Sequence, residues 1–201
     1  MKKLLLIRHG ESEADILKVH EGRADFPLTE LGHRQAAAMG EWVAKQYEIN
    51  LIFASTLQRA AQTAHHLSDA TGVSVIPDEG LMEFDNGLLA GLPFEEAAVR
   101  YPRIENLPPD QSVYGQESLY EFRARADRVL ARCLSQIPDG ATAAIVSHGG
   151  MINQLFASLL GLPPAATPRF LTGDTGIHLW MLTPEGSRLM YANRQEHLKS
   201  I

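Results

Sequence analysis

Two histidines and two arginines stand in three short polar segments of the sequence. These segments are residues 8–12 (RHGES), 55–59 (STLQR) and 147–150 (SHGG). Arg8 and His9 lie in the first, Arg59 in the second and His148 in the third. Two guanidinium groups beside a glycine-rich turn suit a tetrahedral anion, because guanidinium forks match phosphate oxygens in pairs. A neutral histidine can attack phosphorus, and a charged one can donate a hydrogen bond. These residue types favour chemistry on a phosphate-like group.

A short apolar run stands just before each polar segment. The runs cover residues 4–7, 51–54 and 143–146. A continuous apolar run of this length is typical of a strand that is covered on both faces. In parallel sheets, sites form where the strands end at their carboxyl edge. We therefore expect the three polar segments to converge on one point at that edge.

Helical patterns alternate with these runs. Thr29 can cap a helix that continues to about Tyr47, with Leu31, Ala38 and Trp42 on one face. Other helices are expected at about 57–70, after a capping box at 118–121, and from 149 to 160, with two late strands at 176–182 and 188–192. This alternation predicts a three-layer α/β/α sandwich around a mostly parallel sheet. The loop-rich stretch 84–115 predicts a small cap insertion over one edge of the sheet.

The length and composition of the chain limit the classes of protein to which it can belong. The chain has 201 residues, 45% of them hydrophobic, and a formal net charge of −6. These values predict one globular domain over residues 1–201, and the acidic balance argues against a nucleic-acid partner. The lone cysteine, Cys133, excludes an intrachain disulfide and a cysteine-rich metal site, and it fits a reducing, cytoplasmic location. The apolar run 4–7 is too short for a signal peptide or a membrane span, so no membrane partner is expected.

Ordered motifs run along nearly the whole chain. They fall within residues 6–12, 25–36, 55–64, 81–91, 115–118 and 147–150. An isolated Arg-His-Gly triplet would be weak evidence for any family, but these motifs also share a common order and spacing. Together they resemble the histidine phosphatase superfamily, whose members are also called phosphoglycerate mutase-like. The resemblance implies the phosphoglycerate mutase-like fold and a phosphatase of the histidine acid type.

The resemblance also implies roles for five residues. His9 would be the nucleophile and carry a phosphohistidine intermediate. Arg8, Arg59 and a charged His148 would hold the phosphoryl oxygens. Glu83 would give a proton to the leaving oxygen and later take one from the attacking water. The resemblance implies neither a metal nor a cofactor, because arginines and a charged histidine supply the positive field that phosphoryl transfer needs.

Five further residues are expected to bind substrate. They are Ser12, Asp15, Glu21, Gly22 and Gly149. Asp15 and Glu21 depart from the resemblance, since the family usually has Asn and Gln at these positions beside the phosphoryl pocket. Carboxylates there should repel a dianion, unless they point away, are protonated, or meet a cationic group of the substrate. Our hypothesis is that they weaken the binding of highly anionic substrates.

The length and charge of the stretch 84–115 bear on the reaction. Mutases of this family resemble one another in a longer insertion here, rich in Lys and Arg, whereas this stretch offers only Arg100 and Arg103. We therefore expect a phosphomonoesterase whose partners are a small phosphorylated metabolite and inorganic phosphate. A cofactor-dependent phosphoglycerate mutase is the alternative. A non-catalytic phosphoryl-binding module is less favoured, because the residues with implied roles are retained. The sequence does not indicate an oligomeric state.

The remaining histidines and the cysteine have less defined places. His65 and His66 fall in mid-helix and are expected near the surface, and His178 has no partner visible in the sequence. His197 lies in a tail that resembles the end of many family members. The sequence favours equally a position of His197 near the site and a purely structural role away from it. Cys133 lies on an apolar helix face and is expected to be inert.

Overall fold

The computed structural model describes residues 1–166 and 168–201. Within them, the strands are β1 (Lys2–Arg8), β2 (Leu51–Ala54), β3 (Val75–Pro77), β4 (Thr142–Ser147), β5 (Ile177–Thr183) and β6 (Gly186–Arg194). They form one mixed sheet in the order β3-β2-β4-β1-β5-β6. The first four strands of this order pair in parallel, and β5 and β6 pair antiparallel. The prediction of an α/β fold around a mostly parallel sheet is confirmed.

Helices precede or follow most of these strands. They are α1 (Glu13–Leu17), α2 (Glu30–Gln46), α3 (Gln58–Thr71), α4 (Phe94–Arg100), α5 (Leu119–Gln136) and α6 (Gly149–Leu159). Short 3₁₀ turns cover Glu79–Leu81, Gly87–Leu89 and Glu196–Ser200. Among the described residues, no helix is long and apolar enough to cross a membrane.

The side chains of β1 divide the core into two. Leu4 and Leu6 pack in a cluster with residues of α5 and α6, while Leu5 and Ile7 pack in a second cluster with residues of α2 and α3. All four side chains are fully buried. Since successive side chains of a strand point to opposite faces, helices cover both faces of the sheet, which produces the three layers.

Two predicted helix starts are present. The Thr29 hydroxyl accepts a hydrogen bond from the Gly32 N–H, at 2.9 Å, and Ser118 forms a capping box with Glu121. The face of α2 that carries Leu31, Ala38 and Trp42 is not the one that packs most deeply against the core. Leu31, Ala38 and Trp42 are only half-buried, and the inward face consists of Gly32, Gln35, Ala36, Met39, Gly40 and Val43. Small residues occupy this face because α2 and α3 approach closely: a Cβ at Gly40 would lie 2.7 Å from the His66 carbonyl oxygen.

Three elements were not predicted, namely α1, β3 and α4. β3 has only three residues and ends in Pro77, so it shows no periodicity. α4 lies inside the stretch 84–115, where Ala97 is buried and the Phe94 ring meets the His20 ring edge-on at 4.7 Å. The stretch therefore packs against the segment that follows α1, and it contains one short α-helix and one 3₁₀ turn between its loops.

Candidate active site

The parallel pairing of β1, β2 and β4 brings their polar carboxyl ends to one edge of the sheet. Arg8 pairs with Ser147, and Ala54 pairs with Val146. The His9 N–H donates to the Ser147 carbonyl at 3.0 Å, which carries the pairing one residue beyond β1. As a result the ring centroids of His9 and His148 lie 5.1 Å apart. The structure thus brings together the three segments that the sequence singled out.

His9 is held as a neutral imidazole with a defined tautomer. Its side chain is 1% exposed, and its Nδ1 lies 2.7 Å from the Gly10 carbonyl oxygen. Because a carbonyl only accepts, the hydrogen is on Nδ1 and the lone pair is on Nε2. Burial, with the positive charges of Arg59 and Arg8, lowers the pKa of His9 well below its ordinary value. The free protein therefore presents an unprotonated Nε2 in a positive environment.

Arg59 is fully buried beside this nitrogen. Its Nη1 and Nη2 donate to the carbonyls of Ala24 and Gly22, at 2.9 and 2.8 Å, and its Nε lies 3.3 Å from His9 Nε2. Gly22 contributes its carbonyl, and its φ of +48° together with the adjacent Asn86 side chain leaves no room for a Cβ. The segment that contains Gly22 therefore fixes the direction of the guanidinium.

Arg8 approaches the site from the end of β1. Its Nη1 donates to the Thr172 carbonyl at 2.9 Å and lies 3.4 Å from the Asp174 carboxylate. Burial raises the pKa of Asp174, although Arg8 acts in the opposite direction. Asp174 was not identified from the sequence, because it precedes β5 in an irregular segment with no motif signal.

His148 lies deeper in the site. Its Nε2 is 2.8 Å from the Ser55 hydroxyl, and its Nδ1 is buried without a hydrogen-bond partner among the described residues. Burial, Arg59 and other positive neighbours lower the pKa of His148 well below its ordinary value. The expectation of a charged His148 was therefore wrong for the free protein, since the nearby guanidinium groups already oppose a further positive charge.

The Glu83 carboxylate sits on the N-terminus of α6. Its oxygens accept hydrogen bonds from the N–H groups of Gly150, Met151 and Phe84, at 2.8, 3.0 and 2.8 Å. A helix N-terminus favours negative charge, so this position suits a carboxylate. A Cβ at Gly150 would overlap the carboxylate, whereas one at Gly149 would meet nothing within 4 Å. The predicted residue Gly149 thus borders the site without touching Glu83.

Arg125 positions the segment that carries Glu83. From α5 its guanidinium donates to the carbonyls of Gly80, Met82 and Glu83, at 3.0, 2.6 and 3.0 Å, and it pairs with the Glu117 carboxylate. We did not identify Arg125 from the sequence. The signal was available, because this arginine stands on the apolar face of α5 beside Phe122.

The two unexpected carboxylates have different surroundings. Asp15 lies in α1 and accepts a hydrogen bond from the Ser12 N–H at 2.9 Å, so it caps its own helix. Glu21 turns inward, where it accepts a hydrogen bond from the Ser12 hydroxyl. Its oxygens lie 3.6 Å from Arg59 Nε and 3.9 Å from His9 Nε2. Ser12 is buried between the two.

Two other histidines contact residues that hold His9 and Arg8. His197 Nε2 lies 2.8 Å from the Thr175 hydroxyl, and the Thr175 N–H donates to the His9 carbonyl at 3.1 Å. His178 Nε2 lies 3.0 Å from the hydroxyl of Thr172, whose carbonyl accepts from Arg8.

The lone cysteine lies away from the site. Burial raises the pKa of Cys133 to about 12, so its thiol stays protonated, in line with the expectation that it is inert.

Comparison with known proteins identifies the family. The model of the histidine phosphatase superfamily (branch 1) matches residues 4–195. The chain belongs to this superfamily. A relative from Klebsiella pneumoniae, named "Probable phosphoglycerate mutase", is 37% identical over 174 residues, which cover 84% of this chain and 80% of the relative. This confirms the resemblance that was drawn from the motifs, and the chain is an enzyme of the histidine phosphatase type.

Two solved structures are similar over nearly their full lengths. A mycobacterial glucosyl-3-phosphoglycerate phosphatase, in complex with VO3, is 28% identical with a TM-score of 0.83, over 96% of this chain and 99% of that chain. A phosphoserine phosphatase from Entamoeba histolytica, in complex with 3-phosphoglyceric acid, is 28% identical with a TM-score of 0.79, over 98% and 100%. The fold of this histidine phosphatase is therefore the phosphoglycerate mutase-like fold.

The close approach of Gly150 to Glu83 predicts a steric requirement. We expect Gly150→Ala to displace the carboxylate. If Glu83 has the acid/base role that the resemblance implies, kcat/KM for an aryl phosphate falls by about 100-fold, because small displacements of a reacting group have large effects on rate. The matched variant Gly149→Ala places its Cβ in open space and should lose much less. Equal losses in the two variants would contradict this steric account.

His178 predicts a pH-dependent stability. Its Nδ1 accepts a hydrogen bond from the Asn193 N–H at 3.0 Å, and burial lowers its pKa to about 4. Since the unfolded chain binds this proton first, the contribution to stability is complete above about pH 6.5 and is lost as the pH falls toward 4. Urea unfolding at pH 7.5 and 5.0 should show a loss in the parent that exceeds the loss in His178→Gln by about 2 kcal/mol.

The exposed His65 provides the control for that measurement. His65→Ala should keep the pH dependence of the parent. An undiminished pH dependence in His178→Gln would show that His178 does not titrate as this environment requires.

Proposed function

We propose that this protein is a metal-independent phosphomonoesterase that acts on a small phosphorylated metabolite through a phosphohistidine on His9. The observation that carries the proposal is the state of His9: a buried neutral imidazole whose Nε2 lone pair lies beside the Arg59 guanidinium. A nucleophile must be unprotonated to attack phosphorus, and the charge on the phosphoryl oxygens must be balanced by nearby positive groups. Arg8 and Arg59 supply that charge.

In the first step His9 Nε2 attacks phosphorus in line with the ester oxygen. The N–P bond forms as the P–O ester bond breaks, and Glu83, entering as the carboxylic acid, gives its proton to the leaving oxygen. His148 holds a phosphoryl oxygen through Nδ1–H. Ser55 suits this tautomer, because its hydroxyl accepts from the Leu57 N–H at 3.3 Å and can donate to His148 Nε2.

In the second step water attacks the phosphohistidine. The Glu83 carboxylate takes a proton from the water, the new P–O bond forms, and the N–P bond breaks to release inorganic phosphate. His9 recovers its lone pair, and Glu83 is again a carboxylic acid. One carboxyl therefore serves both steps. Its place on the N-terminus of α6 favours the carboxylate form, which is the form that the second step needs.

The cap stretch 84–115 favours hydrolysis over the mutase reaction. A mutase must bind the carboxylate of a phosphoglycerate, which calls for free basic groups. In this stretch Arg100 is exposed and pairs with Glu96 at 2.7 Å, which leaves Arg103 as the other basic residue. The two solved structures named above are phosphatases, and this supports the same choice. The use of a single, buried cysteine, Cys133, fits a reducing, cytoplasmic location.

The mutase remains the second candidate, because the Klebsiella relative carries that name. Incubation with 3-phosphoglycerate and catalytic 2,3-bisphosphoglycerate separates the two activities. Release of inorganic phosphate without the 2-isomer supports the phosphatase, and formation of the 2-isomer supports the mutase. A panel of phosphomonoesters, including sugar phosphates, phosphoserine, nucleotides and nucleoside phosphates such as α-ribazole phosphate, would then define the substrate.

The proposal predicts that His9 is indispensable. His9→Ala should lower the hydrolysis of an aryl phosphate by about 10⁴-fold or more, because the covalent route is lost. His65→Ala, which removes an exposed imidazole, should retain the parent rate. If His9→Ala hydrolyses the ester as fast as the parent, the proposed mechanism is wrong.

A further inference from the structure

Glu21 places a carboxylate among the groups that would bind a phosphoryl group. Its side chain is 20% exposed, and the Ser12 hydroxyl donates a hydrogen bond to Oε1. Oε1 lies 3.6 Å from Arg59 Nε, and Oε2 lies 3.9 Å from His9 Nε2. The carboxylate therefore forms an ion pair with the fully buried guanidinium and faces the nucleophilic nitrogen.

Three of the five N–H donors of Arg59 are already engaged within the protein. Both of its terminal nitrogens donate to backbone carbonyls, those of Ala24 and Gly22. The Nε group, which faces the site, already lies beside both His9 and Glu21. The negative charge of Glu21 thus stands where the positive charge of Arg59 would act on a ligand.

A reacting phosphoryl group would need the same place. In a near-attack geometry, phosphorus lies about 3–3.5 Å from the attacking nitrogen, and its oxygens spread around it. An oxygen of Glu21 already lies 3.9 Å from that nitrogen. A phosphoryl dianion must therefore push the carboxylate aside or bind against its charge.

We propose that Glu21 is a specificity-determining residue that competes, as an internal anion, with phosphoryl dianions for Arg59 and His9. The inference rests on the proposed function, since it concerns the same phosphoryl site. Its consequence is weak binding of inorganic phosphate, the product, and of other compact dianions. The enzyme then releases phosphate readily, and it must draw affinity for its substrate from the part of the molecule beyond the phosphoryl group.

Asp15 does not share this role. Its carboxylate accepts a hydrogen bond from the Ser12 N–H and caps α1. The charge of Glu21 also raises the pKa of Arg59 more strongly than the charge of Asp15 does. The two carboxylates that replace amides therefore separate into a helix cap and a competitor for the site.

Isothermal titration of the whole protein with inorganic phosphate tests the proposal. Glu21→Gln keeps the shape of the side chain and an oxygen that can accept from Ser12, and it removes the charge. We expect the Kd for phosphate to fall by about tenfold or more, because a like charge within a few ångströms of the anion is removed. Glu13→Gln removes the same charge from an exposed position of α1 and should change the Kd by less than about twofold.

A Kd that falls by less than about threefold in Glu21→Gln, or that rises, overturns the proposal. The absence of measurable phosphate binding in the parent and the variant alike also overturns it. Circular dichroism and thermal melting verify that the variant is folded. If Glu21→Gln does not fold, Glu21→Ala is measured in its place, with the same expected gain and the same overturning results.

The two proposals fail separately. Binding of phosphate does not require turnover. A parent protein that binds phosphate but hydrolyses no ester therefore contradicts the proposed phosphatase activity, while the change in Kd still tests the role of Glu21. Conversely, normal hydrolysis with an unchanged Kd in Glu21→Gln overturns the role of Glu21 and leaves the phosphatase intact.

Discussion

The rest of the site depends on keeping the buried imidazole of His9 neutral while two arginines stand beside it. Burial and the charges of Arg59 and Arg8 act together, since both disfavour a proton on the ring. The Gly10 carbonyl then selects the tautomer, so that the lone pair is on Nε2. The same surroundings would stabilise a phosphoryl group bearing negative charge, so one arrangement would serve both the nucleophile and the phosphoryl pocket that we propose.

This arrangement requires a rigid frame, which the backbone provides. The pairing of β1 with β4 fixes His9, the carbonyls of Ala24 and Gly22 direct Arg59, and the N-terminus of α6 holds Glu83. Each of these three side chains is thus positioned by backbone groups of a different segment. A net charge of −6 is compatible with the proposed phosphate site, because the local field of the two arginines outweighs the overall charge over a few ångströms.

The sequence predicted the parts of this site that follow directly from a strand. A continuous apolar run indicates a buried strand, and parallel strands end at one edge of the sheet. The proximity of His9 and His148 could therefore be predicted from the sequence. Asp174 was missed because its role depends on a contact between distant segments. Arg125 was missed although its position on the apolar face of α5 could have indicated a buried role. The charge of His148 was misjudged because burial is set by the whole fold. The inward direction of Glu21 could not be predicted either, since it depends on the backbone between α1 and Gly22.

The most direct test of the account is to locate the phosphoryl group on the protein during turnover. The enzyme would be quenched in alkali, where phosphohistidine is stable, and the modified nitrogen would be assigned by ³¹P and ¹⁵N NMR and by mass spectrometry of peptides. We expect phosphate on Nε2 of His9, since Nδ1 is hydrogen-bonded to the Gly10 carbonyl. Phosphate on Nδ1 of His9, or on His148 or Ser55, would contradict it.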